Sequence, residues 1–347
     1  MSRATLKDVA ELSGVSITTA SHVLNEVPGK RIKLQTRERV LRAAKELMYR
    51  PNELARGLRT KRSGMIGFLS DRISTTPFAG RMIIGAQDAA ADAGSLLLLL
   101  NTGGMDPELG ERGAEALLER QVDGIVYATF YHQVVTPPAN LLKVPAVLLD
   151  ARSVQARVSS VVPDEVGGSR AGVEELLAAG HRRIGFVTTD DDVPARGLRL
   201  AGFRQALEVY DVPFDETLVV VQDPQPRGGY LGAMDLLRRD DRPTGIFCFN
   251  DRVAVGVYQA ARELGLSIPQ DLSVVGFDDQ ELVSDSLWPG LTTAALPHYE
   301  MGRWAVRTLL AQIEAGSSPA TPVHKLLPCP LVRRGSVGPA PFAARLP

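Results

Sequence analysis

Cysteine is scarce in this chain. The 347 residues hold two, Cys248 and Cys329, too few for a disulfide framework or a zinc cage. Long apolar runs are missing as well. The longest clear one, Leu96 to Leu100, falls far short of the roughly 18 residues of a membrane helix and suits a buried strand. Lys7, Asp8 and Glu11 sit where a signal peptide would need uninterrupted apolar residues. Glycine and proline, 32 and 23 residues, stay below the share of a low-complexity chain. No Gly-x-Ser-x-Gly elbow, Walker phosphate loop or His-Glu-x-x-His stretch occurs. Gly167-Gly-Ser-Arg-Ala-Gly172 only approaches a dinucleotide loop: it follows Pro163-Asp-Glu rather than a clear strand, and helix packing explains it better. The five histidines, at 22, 132, 181, 298 and 324, lack ligand spacing; His181 reads as a cap on a helix ending at Gly180, and His298 as core or surface, with a place in the cleft as the alternative. The expectation is a soluble protein of a reducing compartment, with no metal, no cofactor and no enzymatic signature.

What is present begins with uneven charge. The formal net charge is -1, yet residues 1–62 carry fourteen Lys/Arg against six acids, or +8, which leaves −9 on the rest. A length of 347 residues suggests more than one domain. A basic head on an acidic body is expected if only the head approaches a polyanion. Basic solvated helices are common too, so the head's details decide.

Those details read as three short helices. Thr5 with Asp8 makes a capping signal, and Leu6, Val9, Ala10 and Leu12 supply the inward face. Gly14 ends this helix. Ser16 caps a second, from Ile17 to about Asn25, that buries Ala20, Val23 and Leu24 and turns Ile17, Thr18, Ser21 and His22 outward. A third, from about Thr36 to Met48, stacks Val40, Leu41, Ala44 and Leu47. Two helices joined at a glycine turn form the helix-turn-helix pattern, although a plain three-helix bundle would read the same way.

The string Thr5-Leu-Lys-Asp-Val-Ala-Glu-Leu-Ser-Gly-Val-Ser-Ile-Thr-Thr-Ala-Ser-His-Val-Leu-Asn25 resembles the headpiece of the lactose-repressor/galactose-repressor (LacI/GalR) family of bacterial transcription regulators. Thr36-Arg-Glu-Arg-Val40 and Tyr49-Arg-Pro-Asn-Glu-Leu-Ala55 continue the match. The resemblance implies a homodimer on palindromic double-stranded operator DNA, with affinity set by a small effector and repression as the usual outcome. It puts base reading on Ile17, Thr18 and His22. His22 departs from the family's usual Arg and offers only a single-point contact to guanine. Phosphate contacts fall on Thr5, Thr19, Ser21, Lys33 and Arg37, with Ser16 and Asn25 in the same matched string. The turn Pro28-Gly-Lys-Arg-Ile-Lys-Leu34 is longer than the family's, and Lys33 stands where a capping Ser is usual.

Residues 51–63 read as a hinge. Asn52 is a good N-cap after Pro51, and Leu54, Ala55 and Leu58 share one helical face. A helix this short is unstable alone. The resemblance implies that two pair on DNA and push Leu58 into the minor groove. A plain basic linker, Arg59-Thr-Lys-Arg-Ser-Gly64, is the blander alternative.

From Met65 the chain alternates strands and helices. Strands are expected at Met65–Ser70, Leu96–Asn101, Gly124–Tyr127 and Ala146–Asp150, then at Arg183–Thr188, Val219–Val221, Ile246–Asn250 and Ser273–Asp278. Two such rounds imply two doubly wound parallel-sheet lobes, which the resemblance likens to periplasmic sugar-binding proteins. The expected division is a headpiece over 1–50, the hinge over 51–63, a core over 64–335 and a tail over 336–347. Within the core the amino-terminal lobe takes 64–162 and 293–323, and the carboxyl-terminal lobe 163–292 and 324–335. The tail lacks leucine heptads, so the expected assembly is a dimer through the amino-terminal lobes.

Parallel sheets bind ligands past the carboxyl ends of their strands. The residues there include Asp71, Asn101, Asp150, Asp190, Asn250 with Asp251, and Asp278 with Asp279. The resemblance selects Arg199 in Ala195-Arg-Gly-Leu-Arg-Leu-Ala-Gly202, Asn250 in Phe249-Asn-Asp251 and Asp278 in Val274-Val-Gly-Phe-Asp-Asp279, then Asp71, Phe78 and Asp150 as further effector-binding positions. Each acid alone is as well explained as a turn or helix cap, the reading taken for Asp251 and Asp279. The guanidinium, carboxylates and amide together could bracket the hydroxyls of a sugar. The competing readings are a sugar-binding transport component, which would need an export signal and no headpiece, and a sugar- or nucleotide-processing enzyme using the same cleft.

Overall fold

A computed structural model describes residues 4–25, 31–49, 62–72, 79–104, 106–155, 157–316 and 321–341. The chain divides into two compact units, Met1–Gly64 and Met65–Pro347.

In the first unit the described helices are α1 (Leu6–Ser13), α2 (Ile17–Leu24) and α3 (Leu34–Glu46). Thr5 closes a capping box with Asp8: the Asp8 carboxylate accepts from the Thr5 amide at 2.7 Å, and Thr5 Oγ1 accepts from the Asp8 amide at 3.4 Å. The donation from the Thr5 amide, and a second from the Thr5 hydroxyl at 2.9 Å, hold the Asp8 carboxyl below its ordinary range. Gly14, at φ 64, ends α1 in the left-handed region that glycine enters without strain. Helix α3 starts at Leu34 rather than Thr36, because Lys33 takes the N-cap with its carbonyl accepting from the Thr36 and Arg37 amides at 3.0 Å each. Its side chain makes no cap. The miniature core packs Val9, Ala10, Ala20, Val23, Val40, Ala43 and Ala44. Leu12 and Leu41, expected inside, are 50% and 47% exposed. From Val40 the helical period runs through Ala43, Ala44 and Leu47 and leaves Leu41 a quarter turn away. In α1 the buried place goes to Ser13, whose hydroxyl is satisfied by the Val9 carbonyl at 2.6 Å.

The second unit contains two six-stranded sheets. The first is built from β1 (Met65–Ser70), β2 (Leu96–Asn101), β3 (Gly124–Val134), β4 (Ala146–Arg152), β5 (Ser159–Pro163) and β11 (His324–Leu327), in the order β11-β5-β4-β3-β1-β2 and parallel throughout. The second joins β6 (Ile184–Thr189), β7 (Val219–Gln222), β8 (Gly245–Cys248), β9 (Ser273–Asp278), β10 (Thr292–Ala295) and β12 (Leu331–Val332), in the order β12-β10-β9-β8-β6-β7. Only β12 runs antiparallel.

Helices α4 (Gly80–Asp92), α5 (Pro107–Glu119) and α10 (His298–Ala315) cover the first sheet; α6 (Glu165–Ala178), α7 (Pro194–Val209), α8 (Pro226–Leu237) and α9 (Asp251–Glu263) cover the second. Helices α4 and α10 cross closely enough that a Cβ on Gly85 would lie 2.0 Å from the Tyr299 carbonyl oxygen. Among the described residues, no helix is long and apolar enough to cross a membrane.

The exchange between the sheets differs from expectation at three places. Strand β10 pairs with β9, so the chain returns to the first sheet after Ala295 rather than at 293. Strand β11 pairs with β5, so residues 324–327 belong to the first sheet rather than the second. Residues 336–340, expected as tail, are stitched to the second sheet. Ser336 is fully buried, its hydroxyl accepts from the Thr292 amide at 2.8 Å, and the Ala340 amide donates to the Ala179 carbonyl at 2.8 Å. His181 closes the helix end and also fastens the same segment: its amide donates to the Leu176 carbonyl at 3.1 Å, and its ring nitrogens meet Thr244 Oγ1 at 2.9 Å and the Gly338 carbonyl at 3.1 Å. Burial pushes its pKa down.

Candidate functional site

The head presents a polar face on α2. Ser16 caps the helix, accepting from the Thr19 amide at 3.1 Å, and this fixes the first turn. Ile17 is 50% exposed, and Thr18 is exposed beside it. Thr19, Ser21, His22 and Asn25 are half-buried. Asn25 Nδ2 donates to the Ser21 carbonyl at 2.8 Å and so tightens the helix end. Thr5, Lys33 and Arg37 are exposed. A short helix with small polar and apolar side chains free at its start can lie in a major groove and meet base edges. Asn52, Ala55 and Leu58 lie outside the described residues.

In the core, the carboxyl ends of the strands converge on a cleft of about 480 Å³, within the range of small-molecule sites. Asp150, Arg199, Asn250 and Asp278 all line it. Asp71 is buried nearby and is not among the lining residues; its Oδ1 accepts from the Arg72 amide at 2.6 Å. Phe78 lies outside the described residues.

Arg199, on α7, is the hub. Its Nε donates to Glu165 at 2.7 Å, one terminal nitrogen donates to the Phe249 carbonyl, and the other reaches Asp278 at 3.4 Å. The guanidinium carbon stands 3.7 Å from the Phe277 ring centroid and 4.5 Å from that of Phe249, an arrangement that favours a cation. Asn250 lines the cleft while capping α9: its Oδ1 accepts from the Val253 amide at 2.8 Å and its Nδ2 donates to the Pro224 carbonyl. Asp278 also accepts from Gln280 Nε2 at 2.9 Å.

Electrostatics follow from burial. Burial pushes the Asp150 carboxyl well up, Glu165 adds repulsion, and Arg199 opposes both. Glu165 and Asp278 are pushed up by burial and drawn back by Arg199. His132 is pushed down to about 4 by burial and then by Arg152 and Arg199, so its imidazole is neutral at pH 7. Asp150 and Asp278 hold backbone φ of 56° and 108°, conformations that gather at ligand-contacting positions.

Several lining residues escaped the sequence reading. Glu165 follows β5, a strand absent from the expected set, so the strand-end rule never reached it. Phe130, Tyr131 and His132 sit where β3 runs on past Tyr127 through a register shift between Ala128 and Gln133. His298, for which the cleft was the alternative to core or surface, is buried and lines it. Asp191 and Asp192, next to the strand-end residue Asp190 and so in a stretch the sequence already placed near the cleft, line it, whereas Asp251 and Asp279 act as local ties. Asp251 accepts from the Gln280 amide at 2.7 Å and Thr293 Oγ1 at 2.6 Å, and Asp279 pairs with Arg334 at 2.8 Å.

Comparison with known proteins agrees with both halves. The family model for bacterial regulatory proteins of the lacI family matches residues 5–52, and a periplasmic binding protein-like domain matches residues 173–337. The ribose operon repressor of Escherichia coli is 35% identical over 340 residues, covering 96% of this chain and 99% of that protein. The crystal structure of the Lac repressor dimer bound to operator and an anti-inducer aligns with a TM-score of 0.77 at 30% identity, over 97% of this chain and all of that one. A LacI family regulator from Enterococcus faecium with bound ribose aligns with a TM-score of 0.64 at 29% identity, over 79% of this chain and 99% of that one. With a helix-turn-helix head, two parallel-dominated sheets and relatives matched over nearly their whole length, the chain belongs to the lacI family of DNA-binding transcriptional regulators.

Proposed function

We propose that this regulator is a cytoplasmic repressor that binds a palindromic operator as a homodimer and is controlled by a small polyol, most simply a sugar, held between the two core lobes. The observation that carries the reading is the convergence of Asp150, Arg199, Asn250 and Asp278, from four separated segments, on one cleft of ligand size. Asp71 and Phe78 complete the proposed effector set. The names of the relatives support it: one is a ribose operon repressor, and one neighbouring structure holds ribose. Base reading is assigned to Ile17, Thr18 and His22, phosphate contact to Thr5, Thr19, Ser21, Lys33 and Arg37, and the hinge to residues 51–63 with Leu58 as wedge. Dimerisation is assigned to the first sheet's edge, where Ile84 on α4 and Leu96 and Leu99 on β2 are 55%, 64% and 39% exposed. An effector that binds one lobe angle better shifts the population and orders or frays the hinge helices.

Fluorescence anisotropy on the protein's own promoter tests this. Leu58→Ala should weaken operator binding by about tenfold or more and leave random DNA little affected. Arg199→Ala should keep operator affinity and lose the response to metabolite extract. Absence of any half-site preference, or extract-driven release that survives Arg199→Ala, would overturn the reading.

A further inference from the structure

The charge of the cleft is out of balance. Among the described residues that line it, five acidic side chains face two guanidiniums, and the four acids other than Asp150 already outnumber the guanidiniums. Arg199 is committed to Glu165, Asp278 and the Phe249 carbonyl. Arg252, the other guanidinium, reaches Gln225 Oε1 at 3.5 Å. His132 adds no positive charge at pH 7, since its pKa is held near 4.

Asp150 is left over. It is 2% exposed, its Oδ1 has no hydrogen-bond partner among the described residues, and it lies on the cleft wall with its backbone at φ 56°. An unpaired polar atom buried this deeply is costly unless a partner arrives. Asp71, 5% exposed, also has an oxygen without a partner and adds negative field behind Asp150. A metal ion is a poor candidate, because no group of three ligating side chains forms among the described residues. A neutral sugar would supply a hydrogen bond to Asp150 and leave the excess negative charge in place. An ammonium group supplies both the donor and the charge. At the mouth, Asp191 and Asp192 would draw such a cation in.

We propose that the ligand of this cleft is a polyhydroxylated molecule carrying a protonated amine, with Asp150 as the carboxylate that receives it. The inference rests on the effector-cleft reading above and narrows it. On binding, any proton held by Asp150 passes to solvent and the ammonium N–H donates to the carboxylate; no other bond changes.

The test is isothermal titration calorimetry of the full chain with matched sugars: D-glucosamine against D-glucose, D-galactosamine against D-galactose, D-mannosamine against D-mannose, and glucamine against sorbitol, with D-ribose as a further neutral probe. At least one amine should bind about tenfold or more tightly than its neutral parent. Acetylating that amine, which removes the charge without touching the protein, should abolish the gain, as should Asp150→Asn. A neutral sugar, ribose included, that binds as tightly as every amine overturns the amine and leaves the effector cleft standing. Binding by none of the amines overturns it as well. Failure of the cleft reading itself shows elsewhere, as operator release that survives Arg199→Ala.

Discussion

Arg199 Nε and Glu165 Oε2 are 2.7 Å apart in an ion pair whose side chains are 4% and 2% exposed. Glu165 opens α6 and Arg199 lies in the second turn of α7, so the pair joins two packed helices at the cleft. Burial pushes the carboxyl up and the guanidinium offsets only part of that, which makes the pair a device for placing charge rather than a large net source of stability.

Removing one partner should therefore cost more than the pair contributes. Glu165→Ala leaves Arg199 buried with Asp278 as its remaining carboxylate and should lower core stability by about 3–5 kcal/mol in urea unfolding. Glu165→Gln keeps an acceptor for Nε and should cost less than half as much. Equal losses would show that packing, not charge, is what Glu165 provides.

His132 should give the core an acid-side weakness. Its folded pKa near 4 lies below the ordinary value of 6.5, so between those values the unfolded chain holds a proton that the folded chain lacks. Stability is full above the ordinary value and falls as the pH drops toward 4. The loss reaches about 3 kcal/mol at the bottom of that window. His132→Gln should flatten the difference when unfolding free energies are compared at pH 7 and at pH 4.5. An unchanged pH profile would mean that His132 is not the group responsible.

The head separates reading from gripping. Thr18→Ala or His22→Ala should each remove a single-point contact, cost about 0.5–1.5 kcal/mol and relax preference at one base position. Lys33→Ala should weaken specific and random DNA alike and reduce the slope of log affinity against log salt by about one. A base-specific effect at Lys33, measured across a set of single-substitution operators, would reverse these roles.

How much was legible in the sequence depended on whether local pattern or distant pairing set the outcome. Strands β1, β2 and β9 match the expected bounds residue for residue, since a continuous apolar run between turns has few other uses in a parallel sheet. Strand β2 is nevertheless not the buried strand its leucines suggest, because it forms the edge of the first sheet, with Leu96 and Leu99 64% and 39% exposed. Asp150, Asn250 and Asp278 came from the strand-end rule, and Arg199 from its motif. Ser159–Pro163 carries too short an apolar run to stand out, and its identity as a strand depends on β4 and β11, the latter more than 150 residues away. Glu165 was hidden with it. The extension of β3 that brings in His132 rests on an irregular ladder with no local signature. The exchange points near 296 and 328 are likewise set by partners remote in sequence.

Asp150 links stability to ligand chemistry. Its folded pKa is raised well above the ordinary value of 3.8, first by burial and then by Glu165. A raised carboxyl contributes stability that is full below the unfolded pKa and is lost as pH rises through the folded one. Asn has nearly the same shape, tolerates the φ of 56° and carries no charge at any pH. Without ligand, Asp150→Asn should leave the melting temperature unchanged near pH 4 and raise it at pH 8, by about 2–4 °C for each kcal/mol recovered. With a bound amine the order should invert, because the ammonium stabilises only the carboxylate. A variant that melts lower than the wild type at pH 8 without ligand would show that Asp150 already has a positive partner in the free protein.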